Sequence, residues 1–299
     1  MTTGASSSSG SLRAALSYCV QQVRNYDYHH YLCLLELPPT MRKAAFALRA
    51  FNVETSRAMD VSSDPNIGLM RLLWWQEALE KLYANKQVKH PVAQALASVV
   101  LSSETKISKS WLKRSVEARI KEARREQSDD SSPPPPTTLE ELERYAEDTA
   151  STILYSTLQT GGIRSTAADH AASHIGKANG LLLLLRSLPY HARRNRLSLY
   201  IPADMAEKHG GQEGIIPEVV FDMASVANRH LQKARELRDT VPAEARPVLL
   251  PAVPAQFMLD SLRRVGFDVF DPRLTRGLLG APPLLFQLQL KWHSWRGKY

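Results

Sequence analysis

At 299 residues, 43% apolar and 23% charged, the chain has a globular composition with room for a substantial core in one or two domains, which excludes a disordered or fibrous protein. Its two cysteines, Cys19 and Cys33, exclude a disulfide framework. No apolar run reaches the roughly 18–20 residues of a membrane span, and Leu181–Leu185 is stopped at once by Arg186. With 38 Lys+Arg against 30 Asp+Glu the net charge is +8, which permits contact with phosphates or anionic lipid without demanding it.

The first 26 residues carry no acid and two arginines, Arg13 and Arg24, behind a Ser/Thr-rich start. That suits either a targeting peptide or a terminus, disordered over 1–11, that frays from a helix through Leu12, Leu16, Cys19 and Val23. From Pro38 to Asp60 apolar residues recur at helical spacing (Met41, Ala44, Ala45, Leu48, Phe51, Ala58, Met59), with the prolines at the entry. Asp64-Pro65 opens a second helix with Ile67, Met70, Leu73, Trp74, Ala78 and Leu82 on one stripe. Further helices are predicted over 91–102, 107–126, 138–160, 166–188, 217–240, 244–265 and 273–292. No alternating pattern survives beyond four or five residues, so the fold class is all-α. The polar stretch 127–138, with Pro133–Pro136, reads as a surface loop in one helical domain over 12–292. A basic aromatic tail, 293–299, follows. Within Leu290–Tyr299, Trp292 and Trp295 suit either an interfacial anchor or a helix packed on the bundle, the second being the simpler.

Few short motifs offer chemistry. His29, His30 and Cys33 are too few for a zinc site and no second cluster completes them. There is no phosphate-binding glycine loop, no G-x-S-x-G and no H-E-x-x-H. Gly161-Gly162 reads as a helix stop. Glu143 and Glu147 form an i,i+4 acidic pair on what reads as a solvated face.

Three segments are informative together. Leu37-Pro38 leads to Arg42 and Ala44 on one helix. Gly176 and Ala178 precede Arg186, with Tyr200-Ile201-Pro202 after them. Val265-Gly266-Phe267-Asp268 comes last. This order resembles the squalene/phytoene synthase family over roughly residues 12–292. The resemblance implies an isoprenoid synthase-type helical bundle. It also implies two D-x-x-x-D motifs whose i,i+4 carboxylates hold Mg²⁺ against a prenyl diphosphate.

Set against that family, the first motif falls on Ser56, Arg57 and Asp60, so only Asp60 keeps a carboxylate. The second falls on Ser187 and His191, with Arg186 retained and Leu183 in place of an asparagine. Pro189 lies inside the second pair and is expected to spoil its helical alignment. Arg57 puts a fixed charge where a metal would sit, and Glu54 points away from the Ser56–Asp60 line of a continued helix. These substitutions imply no catalytic residues, no metal and no cofactor.

A non-catalytic branch of the family, acting in assembly of mitochondrial respiratory complex I, is similar through Ala50–Glu54, Ile67–Arg71 with Trp74-Trp75, Tyr145–Thr149, and His170–Ala178 followed by Pro189-Tyr190-His191. That similarity implies a peripheral protein on the matrix side of the inner membrane, with complex I subunits or other assembly factors as partners. Arg186, Arg193, Arg194 and Arg196 are candidate contacts for anionic lipid or phosphate. An active prenyltransferase using arginines in place of metal is the alternative; nucleic-acid binding is not expected, since the bases are dispersed. The small residues Ala44, Ala45, Ala47, Gly176, Ala178 and Gly180 suit either an apolar cavity or close helix packing.

Overall fold

The computed structural model describes residues 3–61, 64–101, 107–127, 138–194, 200–209, 217–276 and 279–299, with backbone only for 3–9 and 126. The Pro-rich stretch 128–137 lies outside the described residues. The described residues are helical, and form two compact units: residues 1–123 with 152–164, and residues 124–151 with 165–299.

The first unit holds α1 (Thr3–Tyr26), α2 (Tyr28–Leu35), α3 (Pro39–Ser56), α4 (Pro65–Tyr83), α5 (Pro91–Val100), most of α6 (Lys109–Glu126) and, later in the chain, α8 (Thr152–Thr160). Proline supplies the N1 residue of α3, α4 and α5, where its missing N–H leaves no bond unmade. The core is built from Cys19, Val23, Leu48, Phe51, Leu72, Trp75, Leu79, Leu96, Leu112 and Val116. Phe51 meets Trp75 edge-on at 5.3 Å between ring centres. Buried Arg119 is satisfied inside this core by Asn52 Oδ1 at 2.8 Å and by Ser115 O at 3.0 Å.

α4 turns inward a face only partly the one its spacing suggests. Ala78 and Leu82 are buried as expected, but with Gly68, Leu72, Trp75 and Leu79, whereas Ile67, Met70, Leu73 and Trp74 are exposed. Both faces are apolar, so periodicity alone does not choose between them. Close approach does: a Cβ at Gly68 would lie 2.9 Å from Met59 Cα, so only a glycine face can meet that turn.

The second unit is organised on α9 (Thr166–Ala192), against which α7 (Leu139–Ala146), a π turn (Glu147–Ser151), α11 (Pro217–Glu236) and α12 (Ala252–Arg264) pack. α10 (Ala203–Lys208) and α13 (Pro283–Trp295) complete it. Gly176 and Gly180 let α9 close almost backbone to backbone on the π turn and α7. A Cβ at Gly176 would stand 2.5 Å from Ser151 Cα, and one at Gly180 would stand 2.8 Å from Ala146 Cα. For these two glycines the small side chain serves packing, and Ser151 Oγ donates to Ser173 O at 3.0 Å across the same contact.

Three helix expectations need correction. α9 runs straight through Pro189, which stands near its end; one missing N–H is outweighed by buried Leu181, Leu184, Leu185 and Leu188. The predicted helix over 244–265 is a 3₁₀ segment, Ala243–Leu249, followed by α12, because Pro247 and Pro251 interrupt the α ladder. The stretch from 273 holds a 3₁₀ turn, Pro272–Thr275, and its helix begins only at Pro283. Among the described residues no helix is long and apolar enough to cross a membrane.

Candidate functional site

The first set of candidate residues lies where α3 stops. Thr55 Oγ1 donates to Phe51 O at 2.9 Å and Ser56 Oγ to Val53 O at 3.1 Å, so both hydroxyls fold back on their own helix. The helix ends at Ser56. Arg57 caps it, its N–H reaching Val53 O at 3.1 Å, and Asp60 sits in the turn that follows, its N–H bonded to Arg57 O. Ser56 and Asp60 are therefore not successive turns of one helix, contrary to the expectation of a continuous helix to Asp60. The Arg57 guanidinium lies 3.5 Å over the Tyr26 ring, a cation–π contact that fixes its charge beside the turn. Glu54 accepts from the Tyr18 hydroxyl at 3.1 Å.

The second set lies on the last turns of α9, in the other unit. Ser187 Oγ donates to Leu184 O at 2.7 Å. The His191 ring lies 4.0 Å from that of Tyr200, and Tyr190 lies beside it. Arg186, Arg193 and Arg194 are exposed, with the Arg194 guanidinium 4.4 Å over the Tyr190 ring. Arg196 lies outside the described residues. Leu183 is 54% exposed on the same end of the helix. This face offers a hydroxyl, an imidazole, guanidiniums and apolar surface. Mg²⁺ requires several hard oxygen ligands; of the candidate positions, Ser187 and His191 on α9 offer no carboxylate, and Asp60 after α3 offers one.

His29 and His30 join Asp27, not Cys33, in the one cluster of metal-capable groups among the described residues. Asp27 holds His30 Nδ1 at 2.8 Å, His29 Nε2 at 3.3 Å and Arg49 Nε at 2.5 Å. The Arg49 guanidinium also lies 2.8 Å from His30 Nδ1, which places a permanent cation where an ion would bind. Burial pushes Asp27 toward the neutral form, but Arg49, then His30 and His29, outweigh it and hold the carboxyl well below its usual range. Burial pushes the Cys33 thiol up. This ion cluster ties α2 and the residue before it to α3.

Sequence reasoning missed a polar network in the second unit. Glu143 and Glu147 do not face solvent alone: Glu143 Oε1 is 2.7 Å from His230 Nε2, and Glu147 Oε2 accepts from Ser173 Oγ at 2.7 Å with Lys177 Nζ at 3.9 Å. His230 Nδ1 lies 2.9 Å from His174 Nδ1. A carboxylate only accepts, so His230 donates from Nε2; a neutral His230 then accepts at Nδ1 from His174. Burial, then the neighbouring His230 and Lys177, push His174 down to about 4, and burial also lowers His230 despite Glu143. The i,i+4 spacing of the two glutamates was the available signal, but their partners come from α9 and α11.

Comparison with known proteins places this geometry. Residues 23–280 match the squalene/phytoene synthase family. The chain is 38% identical over 291 residues to NADH dehydrogenase (ubiquinone) complex I, assembly factor 6 of Mus musculus, covering 94% of this chain and 82% of that protein. It is 40% identical over 266 residues to the Drosophila melanogaster homolog of that factor, covering 84% and 76%. Among solved structures, a dehydrosqualene synthase in complex with ligand is similar at a TM-score of 0.75 and 17% identity, over 94% of this chain and 97% of that one. A squalene synthase from Alicyclobacillus acidocaldarius is similar at a TM-score of 0.68 and 19% identity, over 87% and 98%. The expected isoprenoid synthase-type helical fold is the observed one, and the chain belongs to the squalene/phytoene synthase family.

Proposed function

We propose that this chain is a catalytically inactive squalene/phytoene synthase-like protein that acts in assembly of mitochondrial complex I, peripheral to the matrix face of the inner membrane. Similarity over nearly its whole length to proteins named as complex I assembly factors, at 38% identity against 17% for a dehydrosqualene synthase, carries the reading. The side chains support the loss of catalysis. Ser56, Arg57, Ser187 and His191 offer hydroxyls, a guanidinium and an imidazole where a diphosphate-binding magnesium cluster needs carboxylates, and α3 ends before Asp60. Residues 12–292 serve as one functional domain in this account, because the family match runs through both units. Its partners are complex I subunits or other assembly factors, and it uses no cofactor. The exposed Arg186, Arg193 and Arg194 support contact with anionic lipid headgroups or phosphate.

The test is complementation. Cells lacking complex I assembly factor 6 are given this chain, and assembled complex I is measured on native gels. Restoration by both the wild type and Asp60→Asn is expected. Failure of the wild type, with the protein imported and stable, would remove the assembly role. Restoration by the wild type and not by a folded Asp60→Asn would remove the inactive reading, since that carboxylate would then be needed.

A further inference from the structure

The last helix, α13, is apolar on two sides. Phe286 and Leu290 face inward and are buried, with Phe286 meeting Phe257 at 4.9 Å between ring centres. Leu284, Leu285, Leu288, Trp292 and Trp295 fill an arc of about 100° on the opposite side. They are 68%, 44%, 61%, 52% and 78% exposed. The simpler sequence expectation, that both tryptophans pack on the bundle, is therefore incorrect. The inward face is already filled by Phe286 and Leu290, and only about half the circumference of a helix can be covered by one neighbour. Nor is this a loose tail. Tyr299 is 3% exposed and its hydroxyl donates to Ala234 O at 3.3 Å, which anchors the end of the chain and holds the bare face in place.

The charges that α13 and the residues after it carry have one sign. From 283 to 299 the charged residues are Lys291, Arg296 and Lys298, with no Asp or Glu among them. Lys291 and Arg296 are exposed at the C-terminal half of the helix, where the Arg296 guanidinium lies 5.0 Å over the Trp292 ring. The leucines occupy the N-terminal half and the indoles and cations the other. A protein partner would be expected to meet this much bare leucine with a shaped, polar-rimmed surface. Cations and indoles on one helix, with no acid from 283 to 299, instead match a helix lying in the interface of an anionic bilayer, with leucines among acyl chains and indoles at headgroup level.

We propose that α13 is the element that seats this chain on an anionic lipid surface, inserting the face from Leu284 to Trp295. The proposal rests on the membrane-peripheral part of the reading above and names the helix that makes the apolar contact. It is tested by co-sedimentation of the full chain with phosphatidylcholine vesicles and with vesicles that also contain cardiolipin. Three variants are compared: Leu288→Gln/Trp295→Gln, Arg186→Gln/Arg193→Gln/Arg194→Gln, and Trp292→Phe/Trp295→Phe. All the changed residues except Arg186, Arg193 and Arg194 lie on the bare face, and circular dichroism checks each fold.

The wild type is expected to bind cardiolipin vesicles at least tenfold more tightly than neutral ones, and Leu288→Gln/Trp295→Gln at least tenfold more weakly than wild type. Brominated acyl chains are expected to quench the bound wild type but not Trp292→Phe/Trp295→Phe. Undiminished binding by Leu288→Gln/Trp295→Gln, with loss in the arginine variant, would overturn the α13 proposal and keep the lipid reading. No binding of wild type to either vesicle would overturn both, leaving the assembly role to the complementation test. Self-association of the wild type that Leu288→Gln/Trp295→Gln abolishes, without vesicle binding, would assign the face to a second copy and overturn the proposal.

Discussion

Replacing Gly176 by alanine is predicted to destabilise the protein, although the same change in an open helix interior stabilises by about 1 kcal/mol. The new Cβ would stand 2.5 Å from Ser151 Cα and 2.6 Å from Ser151 N. Those are backbone atoms and cannot rotate away. Ordinary carbon contacts begin near 3.5 Å, so α9 and the π turn must separate by about 1 Å. Overpacking of that kind costs about 1–3 kcal/mol. The separation also stretches the 3.0 Å bond from Ser151 Oγ to Ser173 O, which contributes about 1 kcal/mol more. Less the gain in helix propensity, the net loss is about 1–3 kcal/mol. Gly180→Ala, whose Cβ meets Ala146 Cα at 2.8 Å, is predicted to act in the same direction. Gly10→Ala, with nothing within 4 Å, is the control and is predicted to lose no stability. Urea unfolding followed by circular dichroism reads all three. Gly176→Ala as stable as the wild type would refute the argument that backbone contact, and not a cavity wall, selected glycine there.

Asp27→Asn is predicted to cost about 3–5 kcal/mol by leaving the Arg49 charge without its buried partner, and Asp27→Asn/Arg49→Met to recover much of that loss in the same urea assay. Because the Asp27 carboxyl is held below its usual range, its stabilisation is present above about pH 4 and lost as the pH falls further. His174 acts in a separate window. Its folded value of about 4 lies below the ordinary 6.5, so its stabilisation is full above pH 6.5 and is lost as the pH falls from there to about 4. After solvent screening at this half-buried site the loss is about 1–2 kcal/mol, and His174→Asn is predicted to flatten the urea midpoint between those two pH values. An unchanged slope in that variant would contradict the assignment.

The helical class and most helix positions were legible because apolar spacing near 3.6 residues is sustained over long stretches, as in α3, α5 and α11. Which face turned inward was less legible where a helix is apolar all round. α4 presents two candidate stripes, and the contact of Gly68 with a distant turn decides between them. α13 is similar, with Phe286 and Leu290 chosen for the interior over five other apolar residues. Pro189 misled because a proline near a helix end removes one bond, while the packing that outweighs it comes from residues far along the chain. The end of α3 at Ser56 was not legible either: no proline or glycine follows until Pro65, and the stop depends on hydroxyls turned back on the helix and on Arg57 meeting Tyr26. The Glu143–His230–His174 chain needs three helices brought together, which no spacing within one helix can announce.

The central claim, that this member of a prenyl-joining family does no such chemistry, is tested most directly by pyrophosphate release. Purified full-length protein is incubated with Mg²⁺ and farnesyl or geranylgeranyl diphosphate, and released pyrophosphate is measured over many enzyme equivalents of time. Release equal to the protein-free blank, with no dependence on Mg²⁺, is expected. Sustained Mg²⁺-dependent release beyond one equivalent per chain, reduced in Asp60→Asn, would contradict it and return Ser56, Arg57, Ser187 and His191 to a working site.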